Sequence, residues 1–396
     1  MENVLFITWD GPQTTYMEGL FMPILSQVQS QSQYKFHIVQ FTWGTAERIE
    51  ITQKSAQDLN LIYTSKAIVR KPFAILGTLF TLYKGILFLK KYIKKNNITI
   101  VMPRSTMPAL MVNRMSKQNF KVVFDADGLP LEERIDFSGL SPNSKQYQFL
   151  KKEESKMLQR ADGVLTRSHK AINIHSQTVG YKNSNKFSVV LNGRNTDFFK
   201  PNSAKRENMR KELRVPNQTK VLIYCGSLGG QYGWDEMMAI FRQYQEKKAN
   251  AIFLILTVNK EFANESIPDD VKDSIVVKTV PFTEIPNYLS AADIAFAIRE
   301  PQFSMQGIAP IKLGEYLLMG IPTIASVGIG DTEQILNSVP NCLLYDHQNP
   351  NRINLAVDFI ESLGETNFKE IRKQAIPFFS IKKSAESYCN ALDKLR

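Results

Sequence analysis

The chain has 396 residues, of which 43% are hydrophobic and 22% charged, a composition typical of a soluble globular protein with room for two domains. Its three cysteines are scattered and odd in number, which argues against a disulfide framework or a cysteine metal site and favours a reducing cytoplasm. No run of about 18 apolar residues occurs, and the first residues lack the basic start of a signal peptide. We therefore expect neither a membrane span nor a signal peptide.

The net charge of +11 is unevenly distributed along the chain. Residues 1–200 hold 27 Lys and Arg against 15 Asp and Glu, a balance of +12, whereas residues 201–396 have a balance of −1. Between Asp58 and Asp125 there are 12 basic residues and no acidic one. Nucleic acid attracts such charge, but the sequence has no interleaved aromatic and basic motif and no recognised nucleic-acid module, so we expect no nucleic-acid partner.

The centre of this basic interval, residues 73–95, has the pattern of an amphipathic helix edged with lysine. Two interpretations stay open. The helix can lie on an anionic bilayer, where each basic residue near the surface adds about 1 kcal/mol. Alternatively, it is buried in its domain with only a basic end in solvent. The absence of acidic residues favours the membrane surface.

The first half of the chain alternates strands and helices, which predicts a doubly wound parallel sheet. We predict strands at residues 3–9, 36–41, 59–63, 99–102, 121–125 and 161–166, and helices at 16–28, 73–95 and 144–160. The loop after the first strand lacks G-x-G-x-x-G, so a dinucleotide site gets no support there. The four histidines are isolated from one another in the sequence, which gives no metal-binding or triad spacing.

Polar side chains follow several of these strands at the edge where doubly wound sheets bind ligands. Arg104 can pair with a phosphate through its planar guanidinium group. Asp125 and Asp127 can orient a hydroxyl group or act as a base, or they can simply cap loops. Asp10 and Gln13, after the first strand, are candidates for contact with a substrate.

The second half repeats the alternation. Strands are predicted at residues 220–225, 251–258, 274–280, 294–297 and 341–345, and helices at 202–217, 311–319 and 378–396. The turn after the strand at 220–225 reads G-S-L-G-G-Q-Y-G, where glycines let the backbone approach a ligand closely. The helix that follows presents its N-terminus to the same place, which favours an anion.

Residues 309–336 contain the most informative pattern. The helix predicted at 311–319 ends at Gly320, which accepts a left-handed C-terminal turn, and a short strand follows at 321–325. Lys312 and Glu315 lie three residues apart and so share one face of the first helical turn. The preceding loop, 302–310, offers backbone N–H groups at a helix N-terminus. A cation, a carboxylate and amides together suit a sugar attached to a diphosphate and a ribose.

Within this stretch, P-x-K-x-x-E-Y-L-x-x-G-I-P-x-I resembles the donor-binding segment of the group 1 (family 4) glycosyltransferases of bacterial surface-polysaccharide synthesis. Residues 188–201, S-V-V-L-N-G-R-N-T-D-F-F-K-P, are similar to a second family segment, V-x-x-N-G-V-D-x-x-x-F-x-P. The resemblance implies the GT-B fold, two Rossmann-like domains facing a cleft. It implies an acceptor domain at residues 1–198, a nucleotide-sugar domain at 199–377, and a C-terminal helix at 378–396 that crosses back to the first domain.

The resemblance also implies a hexosyltransferase that moves a sugar from a UDP- or GDP-sugar to a saccharide acceptor, lipid-linked and at the inner face of the cytoplasmic membrane. Retention of configuration follows from the family, and neither a metal nor a cofactor is expected, since Lys312 is expected to supply much of what a metal would do. The implied catalytic residues are Arg104, Asp127 and Glu315. The implied acceptor-binding residues are Asp10, Gln13, Arg104 and Asp125. The implied donor-binding residues are Gly226, Ser227, Leu228, Gly229, Val280, Phe282, Gln306, Gly307, Ile308, Lys312 and Glu315.

The sequence departs from the family at several positions. Arg194 and Asn195 stand where the family segment has Val and Asp, and Asp127 stands where the polysaccharide-type subgroup is expected to have an Arg. Ser227 and Tyr232 stand where the family often has an Arg and a Lys for the diphosphate, and Gly307 stands where it has the first Glu of E-x7-E. Lys312, with Arg299, is therefore expected to neutralise the phosphates. Two other functions stay open on these grounds, a sugar-nucleotide epimerase or hydrolase of the same fold and a non-catalytic module that serves as a membrane or assembly partner.

Overall fold

The computed structural model describes residues 1–11, 15–116, 120–216, 218–248, 250–364 and 367–396. The chain divides into two compact units. The first unit is Met1–Gly193 together with Ile381–Arg396, and the second is Arg194–Ser380. The chain therefore passes from one unit to the other twice.

The described part of the first unit contains one sheet of seven parallel strands, in the order β3-β2-β1-β4-β5-β6-β7. The order reverses beside β1, as in doubly wound folds. Central strands such as β1 are continuous apolar runs because helices cover both faces of the sheet. The strands are β1 (Glu2–Asp10), β2 (Tyr34–Thr42), β3 (Ile62–Ala67), β4 (Ile98–Pro103), β5 (Lys121–Asp125), β6 (Gly163–Thr166) and β7 (Phe187–Val189).

Some helices of this unit begin at a residue whose side chain caps the helix. Thr45, Ser144 and Ser168 each accept a hydrogen bond from a backbone N–H three residues on, which satisfies a donor that the helix itself cannot. The helices are α1 (Met22–Gln31), which follows a π-helical turn (Met17–Phe21), α2 (Ala46–Asp58), α3 (Ala74–Lys95), α4 (Thr106–Asn113), α5 (Pro130–Ser138), α6 (Lys145–Arg160) and α7 (His169–Val179), followed by a 3₁₀ turn (Tyr181–Lys186).

The described part of the second unit contains a parallel sheet of six strands, in the order β10-β9-β8-β11-β12-β13. The strands are β8 (Lys220–Cys225), β9 (Ala251–Leu256), β10 (Ile275–Lys278), β11 (Ile294–Ala297), β12 (Thr323–Ser326) and β13 (Cys342–Tyr345). The helices are α8 (Ser203–Glu212), α9 (Trp234–Lys247), α10 (Lys260–Ser266), α11 (Ile285–Ser290), α12 (Ile311–Leu318), α13 (Thr332–Leu336), α14 (Arg352–Ser362) and α15 (Phe368–Phe379). Short 3₁₀ turns occupy Asp269–Ser274, Phe282–Glu284 and Phe303–Gly307.

The predicted α/β class with two doubly wound parallel sheets is confirmed. The helix predicted at 378–396 begins later, as α16 (Ile381–Asp393), because α15 continues to Phe379 and Ser380 is extended. Helix α16 is tied to the first unit. The Tyr34 hydroxyl donates to Asp393 Oδ1 at 2.7 Å, and the Leu191 N–H donates to Ser387 Oγ at 3.1 Å.

Helix α12 ends as its sequence predicts. Gly320 follows it with φ +75°, in the left-handed region that side chains disfavour. A Cβ at this position would lie 2.3 Å from the Phe368 carbonyl oxygen at the start of α15. The glycine is therefore needed both for the turn and for the close approach of α15.

We expect Gly320→Ala to lower the free energy of unfolding by about 1–3 kcal/mol, because it combines backbone strain with displacement of Phe368. Thermal and denaturant unfolding measure the change. Gly364→Ala is the matched control, since a Cβ there meets open space. Equal stabilities for the two variants would contradict the packing described here.

Candidate functional site

The first turn of α12 is fixed beside the carboxyl end of β8. The Tyr316 hydroxyl accepts from the Cys225 N–H at 2.8 Å and lies 3.2 Å from the Cys225 carbonyl oxygen, to which it donates. Burial raises the pKa of the Cys225 thiol, and the nearby positive charge of Lys312 partly opposes this rise. Because the glycine-rich turn begins at Gly226, Lys312 lies at the point where the backbone leaves the sheet.

Glu315 is fully buried and paired with two cations. Its Oε2 lies 2.8 Å from Lys312 Nζ, and its Oε1 lies 3.0 Å from Arg194 Nε. Burial opposes the charge on Lys312, but the attraction of Glu315 outweighs it and raises the pKa of Lys312 above its ordinary value. The Lys312 side chain keeps 34% of its surface exposed. The two predicted donor residues are thus brought together, and the lysine has access to solvent.

Arg194 is the residue of this cluster that the sequence analysis missed. The resemblance marked it as a departure, since the family segment has Val where this chain has Arg. One feature of the sequence could have indicated it. Ser227 and Tyr232 replace two cations of the family, so a cation from elsewhere in the chain could have been expected at this site. Direct contact between Glu315 and a donor ribose stays a prediction, because both of its oxygens contact cations of the protein.

The glycine-rich turn uses some of its backbone donors internally. The Gly226 N–H donates to the Leu256 carbonyl at 2.9 Å, and the Leu228 N–H donates to Asn259 Oδ1 at 2.9 Å. The Ser227 carbonyl accepts from the Tyr224 hydroxyl. At Gly229, where φ is +149°, a Cβ would meet open space. The open part of the turn therefore begins at Gly229.

The loop after β11 is joined to this turn. Arg299 and Tyr232 form an antiparallel bridge, and the Arg299 guanidinium lies 4.8 Å from the centre of the Tyr232 ring. It also donates to Gln231 Oε1 at 3.3 Å. Arg299 is thus held at the edge of the turn, where a second cation for an anionic ligand is expected.

The residues predicted to hold a sugar belong to the short turn Phe303–Gly307 and the residue after it. The Ile308 N–H donates to the Met305 carbonyl at 3.4 Å. The Gln306 side chain donates to the Phe303 carbonyl at 3.3 Å, and Gly307 is buried. The turn is therefore closed on itself by hydrogen bonds, and its role as a sugar site stays a prediction.

The predicted base-contacting residues lie between β10 and α11. Val280 packs partly buried against the hydrophobic core of the unit. The Phe282 ring is 46% exposed and stacks on Phe198, with ring centres 5.3 Å apart and planes 22° from parallel. An exposed aromatic ring offers a surface on which a flat group can stack.

Four charged residues meet at the carboxyl ends of β4, β5 and β6 in the first unit. Arg167 donates to Asp125 Oδ2 at 2.8 Å, and its Nε lies 3.6 Å from Asp127 Oδ1. Arg104 pairs with Asp127. Arg104, Asp125 and Asp127, which the sequence placed at one sheet edge, are thus brought together, and Arg167 joins them.

Burial and backbone strain mark this cluster as unusual. Burial opposes the charge of both arginines, but the two aspartates outweigh it and raise the pKa of Arg104 and of Arg167. Ser105 and Asp127 have φ of +63° and +54°, which costs on the order of 1–3 kcal/mol each and is typical of functional sites. The Ser105 N–H donates to the Asp125 carbonyl at 2.8 Å. This hydrogen bond holds the strained residue Ser105 beside the end of β5.

The two other acceptor candidates follow β1. Asp10 ends this strand and accepts from Gln40 Nε2 at 3.3 Å. Gln13 lies outside the described residues. A pocket of about 120 Å³ opens beside Ser105 and is also lined by Trp9 and Arg134. The first unit therefore has a small cavity next to its charged cluster.

Helix α3 packs on the unit with both small and large residues, namely Gly77, Thr81, Leu82, Gly85, Leu89 and Ile93. A Cβ on Gly77 would lie 2.3 Å from the Val69 carbonyl oxygen, and one on Gly85 would lie 2.9 Å from the Phe41 ring. Other large apolar side chains of the helix and of the residue before it are exposed to solvent, namely Phe73, Ile75, Leu76, Leu79, Phe80, Tyr83 and Leu87. Residues 73–87 thus form an exposed apolar surface, which we call the α3 face.

No helix in the described ranges is long and apolar enough to cross a membrane. The same ranges hold no group of three or more His, Cys, Asp or Glu side chains placed to bind a metal ion.

Known structures share the architecture of this chain. No family model matches the sequence, and no curated protein matches it. HepE of Anabaena, in a complex with UDP-glucose, superposes with a TM-score of 0.73 at 13% identity, covering 100% of both chains. Sucrose-phosphate synthase of Thermosynechococcus elongatus superposes with a TM-score of 0.70 at 14% identity, covering 100% of this chain and 99% of the other. A glycosyltransferase of Rickettsia africae superposes with a TM-score of 0.70 at 16% identity, covering 100% of this chain and 98% of the other. The chain has the GT-B fold.

We expect Asp125→Asn to destabilise the first unit by about 3–5 kcal/mol, because it removes the nearer of the two carboxylates that face the buried Arg167 guanidinium and leaves only the more distant Asp127. Denaturant unfolding measures the loss. The control is Glu207→Gln, which removes an exposed pair with Lys211 and should leave the stability nearly unchanged. A small effect of Asp125→Asn would show that the buried pair is replaceable.

Proposed function

We propose that this protein is a glycosyltransferase of the group 1 type that transfers a hexose from a nucleotide-diphospho-sugar to a saccharide acceptor in surface-polysaccharide or glycan synthesis. The observation that carries the proposal is the position of Lys312 in the second unit. This lysine is partly exposed and lies beside the carboxyl end of β8, where the glycine-rich turn starts. HepE, which has the same fold, binds UDP-glucose.

On this proposal the second unit holds the donor. Lys312 and Arg299 face the diphosphate, and the glycines of the turn allow the phosphates to approach the backbone. Phe282 or the backbone beside it contacts the base. The cations stabilise the negative charge that develops on the departing nucleotide diphosphate, which is the chemistry that a metal supplies in other transferases. We also propose that the anomeric configuration of the sugar is retained, on the basis of the family resemblance.

The first unit holds the acceptor in this proposal. Asp127 is the carboxylate proposed to orient the acceptor hydroxyl group, since its side chain is 29% exposed while Asp125 is fully buried. Arg104 fixes Asp127 by an ion pair and lies 4.3 Å from the centre of the Phe21 ring. The strained turn between Asp125 and Asp127 keeps the carboxylate in one orientation, which favours pre-organised binding.

The α3 face supports a membrane-associated acceptor. Exposed apolar patches this large are uncommon on soluble monomers and mark interaction surfaces. Seven lysines and arginines, among them Arg70, Lys71 and Lys95, flank or belong to this helix, with no acidic residue between Asp58 and Asp125. An apolar face edged with positive charge fits an anionic bilayer. We therefore propose peripheral binding to the cytoplasmic face of the membrane and a lipid-linked saccharide acceptor.

We expect one class of nucleotide-sugar, a UDP- or GDP-sugar, to raise the unfolding temperature in a thermal-shift screen, because a ligand stabilises the folded state that binds it. Lys312→Ala should reduce this shift strongly, and Lys211→Ala, on an exposed surface, should leave it unchanged. An undiminished shift in Lys312→Ala would refute the donor site.

Turnover then separates the transferase from the other functions of this fold. Consumption of the donor only when membrane lipids are added supports a transferase with a lipid-linked acceptor. Consumption without any acceptor would indicate an epimerase or hydrolase. Binding with no turnover on any acceptor extract would indicate a non-catalytic module.

We expect Leu76→Glu with Phe80→Glu to abolish binding to anionic vesicles, because both side chains are exposed on one face of α3 and each contributes about 1.5–3 kcal/mol when buried. Co-sedimentation with vesicles that contain or lack anionic lipid measures binding. The control is Val258→Glu, which changes an apolar residue of the second unit that is 74% exposed. Undiminished sedimentation of the double variant would assign the α3 face to another partner.

A further inference from the structure

Arg194 is the first residue of the second unit, and its backbone is fixed at the place where the chain enters and leaves that unit. Its N–H donates to the Phe379 carbonyl at 2.7 Å, and it forms a parallel bridge with Ser380. These bonds direct its side chain to Glu315, which lies 121 residues further along the chain. The position of the guanidinium group is thus set by backbone contacts that do not depend on a ligand.

The charges of this cluster are unequal. Glu315 brings one negative charge, whereas Arg194 and Lys312 bring two positive ones, so the three groups carry a net charge of +1. A fully buried carboxylate needs compensation by a cation. Arg194 is the better buried partner, with 8% of its side chain exposed against 34% for Lys312. Arg194 can therefore compensate Glu315 by itself, and the charge of Lys312 is surplus.

Without Arg194 the same lysine would be neutralised by Glu315. A lysine paired with a carboxylate attracts a phosphate weakly, because the ligand meets a charge pair instead of a cation. The glycine-rich turn supplies no cation of its own, since Ser227 and Tyr232 are uncharged. The surplus charge on Lys312 is then a large part of what the second unit offers to an anionic ligand.

We infer that Arg194 is a positioning residue for donor binding: by pairing with Glu315 it leaves the cluster with a surplus positive charge, so that Lys312, although hydrogen-bonded to Glu315, can bind the diphosphate of a nucleotide-sugar. This inference rests on the proposed function, and it explains why a chain that lacks two family cations keeps a charged donor site. Arg194 does not contact the ligand in this account. It acts through Glu315 and Lys312.

The test compares the dissociation constants of UDP and uridine, or of GDP and guanosine if the screen selects guanine, for the full-length protein. The ratio of the two dissociation constants measures how much the phosphates contribute to binding. A change that affects only the binding of the base alters both constants equally and so cancels in the ratio. Arg194→Gln should reduce the ratio of affinities about tenfold or more and should weaken the salt dependence of UDP binding. Arg194→Lys, which keeps the charge, should retain most of the affinity.

The decisive variant is Arg194→Gln combined with Glu315→Gln. It removes one positive and one negative charge, so Lys312 is again an unpaired cation, and UDP affinity should recover relative to Arg194→Gln alone. A purely structural role for Arg194 predicts no such recovery. The control is Arg242→Gln, which removes an exposed arginine paired with Asp270 in the same unit and should change nothing.

Three results would overturn the inference. One is an unchanged ratio of affinities in a folded Arg194→Gln variant. Another is a double variant that binds UDP as weakly as Arg194→Gln alone or, where Arg194→Gln alone does not fold, a folded double variant that binds UDP much more weakly than the wild type. The third is a wild-type protein that binds neither UDP nor GDP, which would overturn the proposed function as well. The first two leave that function standing.

Discussion

The buried carboxylate of Glu315 is the constraint on which the architecture of the second unit depends. An unpaired charge without solvent is costly enough to unfold a domain of ordinary stability. The chain meets this requirement with two cations from different places, Arg194 at the start of the unit and Lys312 on α12. The ion pairs therefore join the start of the unit to the helix that lies beside the glycine-rich turn. The same three side chains therefore help to anchor that helix and set the charge of the candidate site.

Most of the fold followed from the sequence because buried parallel strands are short apolar runs with polar residues at their ends. β5, β8 and β11 have the bounds that the apolar pattern predicts. The predicted bounds were wrong where the apolar pattern does not mark the end of an element. The strand predicted at 59–63 is Ile62–Ala67, because Leu59 ends α2 and the more polar half of the strand carries no apolar signal. Helix α16 starts at Ile381 since Ser380 interrupts a run of otherwise continuous helical pattern.

The site was predictable only where helical spacing or the topology of a parallel sheet brings its residues together. Lys312 and Glu315 are three residues apart, so helical geometry alone places them on one face. Arg104, Asp125 and Asp127 follow neighbouring strands, and the topology of a parallel sheet brings such residues to one edge. The partnership of Arg194 with Glu315 has no local pattern, because it depends on how the segment after β7 runs beside the end of α15. The spacing of apolar and polar residues along the sequence cannot predict a contact between residues so far apart in the chain.

The charged clusters of the two units occupy equivalent edges of similar sheets but differ in balance. In the first unit, two arginines meet two aspartates, and the sum is zero. In the second unit, two cations meet one carboxylate, and the sum is +1. A cluster whose charges sum to zero attracts anions weakly, which suits a ligand recognised by its hydroxyl groups. A cluster with surplus positive charge suits a ligand recognised by its phosphates. The balance of charges at each sheet edge therefore supports the proposed division between an acceptor unit and a donor unit, independently of any resemblance in sequence.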